Sequence, residues 1–350
     1  MRIGIIGHFG GDKKFMDGQT VKTVTLYQAM MHKQINAGKI DRIDTYYIKH
    51  NPIRFVMQLL GCICRDRKIV ILLSSNGRRV LFPVMYFLQK YLHKEVYHDT
   101  IGGRLAREVN ENAKWKKYVS AFSGNWMESK ELVDRLQKLG VDNAVLVPNF
   151  KSIPLLTEKE LPQTMEKPYR FVIFSRVMQK KGVTDAIRAV KLLNEKMGAM
   201  TAALDIYGPV EQDYTEELKQ ELAQAGECCR YGGVIEPNQS VAVLQNYYAL
   251  LFPTHWKNEG MPGTIIDALS AGVPVIAREW QYCREMITAD QTGLIYPFEQ
   301  PERLLSMLEY AVTHEAELMK MRRNCVQSAQ KYAEETVLQQ ICDLMQLDAV

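Results

Sequence analysis

Two α/β domains, each a parallel sheet covered by helices, are predicted for this chain. Three observations carry the expectation. Short runs with buried-strand character alternate with amphipathic stretches through both halves, and such alternation forces parallel strands joined by crossover helices. A stretch of prolines and mixed charges, Lys151 to Lys167, interrupts the alternation near the middle and reads as a linker. At 350 residues the chain also exceeds what one ordinary core holds. The expected domains are 1–155 and 156–333.

In the first half, Ile3–Ile6 is a strand, followed by a loop with Gly10, Gly11, Gly18 and Gln19, then an amphipathic helix from Thr20 to Met31. Asp44–Ile48 and Ile69–Leu73 read as buried strands, Val80–Leu92 as a helix and Glu95–Tyr97 as a short strand. Tyr118–Ser123 is expected as a strand, Ser129–Leu139 as a helix and Ala144–Pro148 as a strand leading into Asn149. The second half restarts with strand Phe171–Phe174, helix Thr184–Lys196, strand Ala202–Tyr207 and helix Thr215–Ala225. Strands at Arg230–Gly232, Ala249–Pro253 and Pro274–Ala277 follow, with helices at Val241–Tyr247 and Pro262–Ala271.

Composition excludes several classes. No uncharged apolar run approaches the ~20 residues that span a bilayer. Residues 1–7 read as a first strand, too short in their apolar part for a signal peptide. The seven cysteines have neither CxxC nor zinc-ligand spacing, which points to reduced thiols and a cytoplasmic location. There is no Walker loop, no dinucleotide fingerprint and no Asp-x-Asp metal motif. The net charge of +4 hides a split: residues 1–160 hold 26 Lys+Arg against 15 Asp+Glu, and the rest is acidic. A basic first half suits an anionic partner such as a membrane surface or a phosphorylated, lipid-linked acceptor, or else simply a differently solvated face. No nucleic-acid-binding motif accompanies it, so nucleic acid is not expected as a partner.

The residues that can carry chemistry cluster in the second half. Glu259 to Ala277 reads as loop, helix and strand. Pro262 suits the first helical turn, where its missing N–H would be unpaired anyway, and Gly272 suits the position past the helix end. Free N–H groups along Gly260-Met261-Pro262-Gly263-Thr264 attract a phosphate or a sugar hydroxyl. Glu259 upstream and Asp267 within the helix can accept hydrogen bonds from a polyol. Arg176 and Lys181 share one strand-to-helix loop, where two cations can clamp a diphosphate, though a basic turn in water is the plainer alternative. Asp205-Ile206-Tyr207-Gly208-Pro209 ends another strand, with Gly208 allowing close backbone approach. Arg230-Tyr231-Gly232-Gly233-Val234 does the same, and its backbone near Val234 can meet a base edge. In the first half His98 ends a strand before Gly102-Gly103; a lone histidine of this kind is more often structural.

In order and spacing these motifs resemble the second domain of retaining nucleotide-sugar glycosyltransferases of family 4. The match runs through Ser175-Arg176-x4-Lys181-Gly182, Asp205 to Pro209, Tyr231 to Val234, Leu251-Phe252-Pro253-Thr254 and Glu259 to Pro262. It continues at Glu285 and Thr292-Gly293-Leu294-Ile295 and covers residues 169–335. Asp267 stands where the family has a second Glu, one methylene longer. The resemblance implies the GT-B architecture, two Rossmann-like domains facing across a cleft, with a last helix (334–350) packing back on the first domain. It implies sugar transfer from a nucleotide diphosphate sugar to a hydroxyl of a glycan or polyprenyl-phosphate-linked acceptor, with retention and no metal or other cofactor, as in surface polysaccharide synthesis.

By the same resemblance, Arg176 and Lys181 stabilise the departing diphosphate, Glu259 holds the donor sugar and Asp267 the ribose. His98 touches the transferred sugar, Gly10, Gly11, Gly18 and Gln19 approach the donor, and Asn149 marks the hinge. Two other readings stay open: a non-catalytic nucleotide-sugar sensor or scaffold, and a sugar-nucleotide epimerase of the same fold. The apolar segments Phe55–Cys64 and Val80–Leu92, each flanked by arginines, fit either the domain core or a peripheral contact with an anionic membrane.

Overall fold

The computed structural model describes residues 2–13, 18–257 and 259–347. Met1 and the last three positions of the expected 334–350 helix lie outside the described residues. The chain divides into two compact units, Met1–Ser152 with Glu334–Val350, and Ile153–Ala333. The division falls a few residues before the expected 155/156 boundary, because Ile153, Leu155 and Leu156 pack on the second unit's core.

Unit 1 runs β1 (Arg2–Gly7), α1 (Gly18–His32), β2 (Ile40–Asp44), α2 (Tyr47–His50), α3 (Pro52–Arg65), β3 (Asp66–Leu72) and α4 (Ser75–Tyr91). It continues with β4 (Glu95–Asp99), α5 (Leu105–Glu111), α6 (Ala113–Ala121), β5 (Gly124–Met127), α7 (Lys130–Lys138) and β6 (Ala144–Leu146). The strands form one sheet in the order β2-β1-β3-β4-β5-β6, every neighbour parallel. Both faces are covered, as parallel sheets require. Ile3 and Ile5 join Leu26 and Met30 on one side, while Ile6 joins Ile43, Phe55 and Leu81 on the other. Fully burying a side chain such as Leu81 or Phe82 contributes about 1.5–3 kcal/mol.

Two expected strands are displaced. The run expected at Asp44–Ile48 is the end of β2 and the start of α2. The Asp44 carboxylate accepts from the backbone N–H groups of Phe9, Gly11 and Tyr46 at 2.8–2.9 Å, and this cluster ends the strand. The strand expected at Tyr118–Ser123 is instead the end of α6. Trp115, Tyr118 and Phe122 follow helical spacing and meet Phe82 and Tyr86 of α4 at ring distances of 5.2–5.4 Å.

Unit 2 runs β7 (Tyr169–Phe174), α8 (Val183–Met197), β8 (Ala202–Tyr207), α9 (Thr215–Ala225), β9 (Cys229–Gly233), α10 (Ser240–Leu244) and β10 (Ala249–Phe252). Next come α11 (Gly263–Ser270), β11 (Val275–Arg278), α12 (Cys283–Met286), β12 (Gly293–Tyr296), α13 (Arg303–Thr313) and α14 (Glu315–Ala329). Its parallel sheet has the order β12-β11-β10-β7-β8-β9. The chain steps outward from β7 to β9, then returns to the other side of β7 with β10. The order therefore reverses between β7 and β10, and ligands of open α/β sheets bind at the carboxyl ends of such a strand pair. The last helix, α15 (Glu334–Met345), buries Val337, Leu338 and Ile341 against Ile3, Ile5 and Val70 of unit 1.

Candidate active site

At the switch point of unit 2, the loops after β7 and β10 are fastened to one another. Gly182 has φ +72°, and a Cβ there would stand 2.0 Å from the Pro253 carbonyl oxygen, so only glycine lets the two loops approach. The His255 N–H donates to the Lys180 carbonyl at 2.9 Å. This closure brings two expected site residues together. Lys181 Nζ lies 2.6 Å from Glu259 Oε2, with the side chains 9% and 14% exposed. The Thr254 hydroxyl donates to the same carboxylate oxygen at 3.3 Å, and Lys181 Nζ lies 5.0 Å from the Trp256 ring centroid.

Glu259 leads directly into α11. Pro262 is the N-cap, one position before the first turn where it was expected, because its ψ of 127° is extended. Among the described residues no side chain caps the helix, and the Ile265 N–H turns back to the Pro262 carbonyl, which leaves the Gly263 and Thr264 amides at the helix start without a side-chain partner. The Gly260 carbonyl accepts from Trp280 Nε1 at 3.1 Å and Met261 is buried, which fixes the loop from below. A charged pair beside an uncapped helix start makes a site for an anion with hydroxyl groups attached.

The neighbouring strand ends support that loop. Gly208 has φ +135°, and a Cβ there would lie 1.8 Å from the Ser175 carbonyl oxygen, so the β8 turn passes directly against the β7 exit. Arg176, from that exit, is half exposed and faces Glu211 at 3.4 Å. Its guanidinium lies 5.9 Å from the Trp256 ring centroid, within the same loop cluster as Lys181. Val234, just past β9, is exposed. Asp205 has a separate task. Burial alone would raise its pKa, but hydrogen bonds from Arg230, Tyr247 and Arg170 hold the carboxyl below its ordinary value.

Two other expected site residues are buried. Asp267 is 1% exposed and accepts from the Ser240 hydroxyl of α10 at 3.2 Å. Its carboxylate lies within the packing between α10 and α11. His98 is 0% exposed. Strand alternation turns it toward Phe82, with ring centroids 4.9 Å apart. Burial, then the charge of Arg78, pulls its pKa well below the ordinary histidine value, which keeps the ring neutral. Its contacts are those of a core residue.

In unit 1 the glycine loop is structured by Asp44, as described above. Gly11 has φ +61°, and a Cβ there would lie 2.8 Å from the Tyr46 ring. Gly10 precedes it with φ 88°, Gly18 begins α1, and Gln19 Nε2 donates to the Leu72 carbonyl at 3.4 Å. Beside this loop, at the carboxyl ends of β1, β2 and β3, lies a cavity of about 280 Å³ whose lining includes His8, Tyr46, Lys49, His50, Ser74 and Val80. A larger groove of about 800 Å³, between residues 158–164 and α14, lies away from the strand ends. Sequence reasoning missed Lys22, whose Nζ meets Asp99 at 2.6 Å, Glu128 at 3.2 Å and the Thr100 carbonyl at 2.8 Å. Burial pushes the Asp99 carboxyl up to about 6 despite this partner. The available signal was the acid beside His98 at a strand end.

Comparison with known proteins bears on unit 2 and on the fold. The family model described as Glycosyl transferases group 1 matches residues 157–332, nearly all of unit 2. The amylovoran biosynthesis glycosyltransferase AmsK of Erwinia amylovora is 24% identical over 244 residues, covering 60% of this chain and 59% of its own length. The chain thus spans about three-fifths of that relative. Among solved structures, Anabaena Alr3699/HepE in complex with UDP has a TM-score of 0.73 at 12% identity, covering 99% of this chain and 100% of that one. The lipopolysaccharide outer core galactosyltransferase WaaB, in its apo form, has a TM-score of 0.68 at 13% identity, covering 99% of both chains. These structural likenesses establish the α/β fold as that of GT-B glycosyltransferases.

Proposed function

Since the chain belongs to the group 1 glycosyl transferases, we propose that it moves a sugar from a nucleoside diphosphate sugar to a hydroxyl of a glycan acceptor in polysaccharide synthesis, with retention at the anomeric carbon and without a metal ion. The observation that carries the reading is the Lys181–Glu259 pair beside the uncapped start of α11, at the switch point of unit 2. An ammonium has three donors, so Lys181 can keep Glu259 and still reach a phosphate oxygen. As the bond between the anomeric carbon and the diphosphate oxygen breaks, negative charge grows on that oxygen. Lys181, Arg176 and the first amides of α11 stabilise it, a preorganised electrostatic effect. Glu259 accepts from the donor sugar's hydroxyls and orients the ring. The acceptor oxygen bonds to the anomeric carbon on the departing face, and its proton passes to the leaving phosphate. His98 and Asp267 act through packing, holding β4 and α11. The cavity at the strand ends of unit 1 is the candidate acceptor pocket.

The relatives motivate UDP as the first nucleotide to test, because the HepE structure holds it. A panel of UDP-, GDP-, ADP- and dTDP-sugars is screened by thermal shift, where a ligand that binds only the folded state raises the melting temperature. Donors that shift it are then incubated with glycan acceptors, measuring free nucleoside diphosphate and the anomeric configuration of the product by NMR. Release of nucleoside diphosphate with a retained linkage is expected. Saturable binding without turnover on any acceptor refutes catalysis in favour of a sensor, and an inverted product refutes the same-face mechanism.

A further inference from the structure

The proposed transfer leaves the outer surface of α3 and α4 without a role. Both helices pack on the core that holds Phe55, Cys62, Leu81 and Phe82, so they lie on the same face of the unit 1 sheet. Their outward sides are apolar as well. On α3, Ile53, Val56, Met57 and Leu60 are exposed, Ile53 to 75% and Met57 to 69%. Positions 53, 56, 57 and 60 follow the spacing with which a helix covers a buried face, yet this stripe is turned away from the core. On α4, Val80, Phe87 and Tyr91 make a second outward stripe, and Leu92 extends it. Eight of the 16 large apolar side chains that the described residues expose fall between Ile53 and Leu92. A concentration of this kind marks an interaction surface.

Charge narrows what the surface meets. Residues 45–94 hold nine Lys+Arg and a single acid, Asp66, which is buried. Arg65 and Arg67 pair with Asp41 and Glu95. Lys49, Arg54, Arg79 and Lys90 are exposed and have no carboxylate partner among the described residues. Helix α6, packed on α4 through Phe82–Trp115 and Tyr86–Tyr118, adds exposed Lys114, Lys116 and Lys117. A two-fold contact between two copies of this face would set cations against cations. Apolar stripes between cations that have no carboxylate partner among the described residues suit instead a surface with an apolar interior and anionic headgroups. No helix among the described residues is long and apolar enough to cross a membrane, so the contact lies on the bilayer.

We propose that the α3–α4 face of unit 1 docks on the surface of an anionic lipid bilayer, with the two stripes at the acyl boundary and the cations on headgroup phosphates. Lys49 and Val80 also line the cavity at the strand ends, so docking sets that cavity beside the headgroup layer. The docking is independent of the transfer reaction, and its test reads no turnover.

The test is sedimentation of the full chain with phosphatidylcholine vesicles, alone or containing phosphatidylglycerol. Two variants accompany it: Ile53→Glu with Met57→Glu, and Arg54→Glu with Arg79→Glu and Lys90→Glu. All five side chains are exposed, and unchanged circular dichroism and melting temperature confirm folding. The wild type is expected to pellet with anionic vesicles at low salt, to stay in solution with phosphatidylcholine alone, and to be released as salt rises. Loss of each basic residue is expected to weaken partitioning about fivefold, so the triple charge reversal should weaken it by on the order of a hundredfold or more. The apolar variant should also lose binding. Absence of pelleting at low salt, or equal pelleting by wild type and both variants, overturns the proposal. So does a concentration-dependent dimer, seen by analytical ultracentrifugation, that these variants dissolve.

Discussion

Replacing Lys181 with Ala removes the ammonium that lies 2.6 Å from Glu259 in a largely buried setting. A hydrogen bond to a charged group contributes about 1.5–3 kcal/mol, and its loss leaves a carboxylate with partial desolvation unrepaid. What remains to Glu259 Oε2 among the described residues is the Thr254 hydroxyl at 3.3 Å, a longer and weaker contact. Lys181→Ala is therefore expected to lose about 2 kcal/mol of stability. Adding Glu259→Gln should cost little more, because the acid has already lost its partner. The cycle of the two single variants and the double is expected to show a coupling on the order of 1–2 kcal/mol by urea unfolding. The same pair makes a kinetic prediction. Removing a donor aimed at developing charge lowers kcat by about 10²–10³. Lys181→Ala should therefore lose both kcat and affinity for free nucleoside diphosphate, whereas Glu259→Gln should lose kcat alone. Additive stability effects would refute the pair. Equal losses of nucleotide affinity in both variants would show that Glu259 serves the diphosphate rather than the sugar, and wild-type kcat in folded Lys181→Ala would remove the assignment altogether.

Gly208→Ala forces a Cβ toward the Ser175 carbonyl oxygen, 1.8 Å away, at φ +135°, and is expected to destabilise by on the order of 3 kcal/mol or more; a melting temperature equal to wild type contradicts it. Arg176→Ala breaks a half-exposed pair with Glu211 and a distant contact with the Trp256 ring, so stability should change by less than about 1 kcal/mol, while nucleoside diphosphate affinity by calorimetry falls roughly tenfold. Unchanged affinity would take Arg176 out of the diphosphate site. Burial, with Asp41 nearby, pushes the Asp66 carboxyl up to about 6, so the native state is penalised by the ionised form above that pH and relieved as pH falls toward the ordinary carboxylate range. Asp66→Asn should accordingly stabilise the protein at about pH 8 and have little effect at about pH 4; an equal effect at both values refutes the linkage.

Unit 2 is the more readable half because four of its six described strands end in a glycine or proline turn. The expected bounds of Ala202–Tyr207 and Thr215–Ala225 coincide with β8 and α9. In unit 1 the same residue types misled: Tyr118 to Ser123 has the composition of a strand, but its aromatic side chains belong to a helix packed on α4. The site shows a second limit. Lys181 and Glu259 were both identified, yet each was given its own partner, because a contact across 78 positions depends on how two loops close around Gly182. His98 was within reach of sequence reasoning, since alternation along β4 puts it with Val96, opposite Tyr97 and the α15 side of the sheet.

The α3 segment marks where reading a pattern stops. Its apolar residues predict that a face will be covered, and from the sequence alone the cover can be either the domain core or a membrane. In the fold both faces of α3 are apolar. The core takes Phe55 and Cys62, and that packing uses up the side of the helix that a core-only reading would need. Ile53, Val56, Met57 and Leu60 are left over, and their exposure next to Arg54 and Lys49, which have no carboxylate partner among the described residues, is what turns two equal readings into one directed inference. A helix that had only its inward face apolar would have required no partner at all.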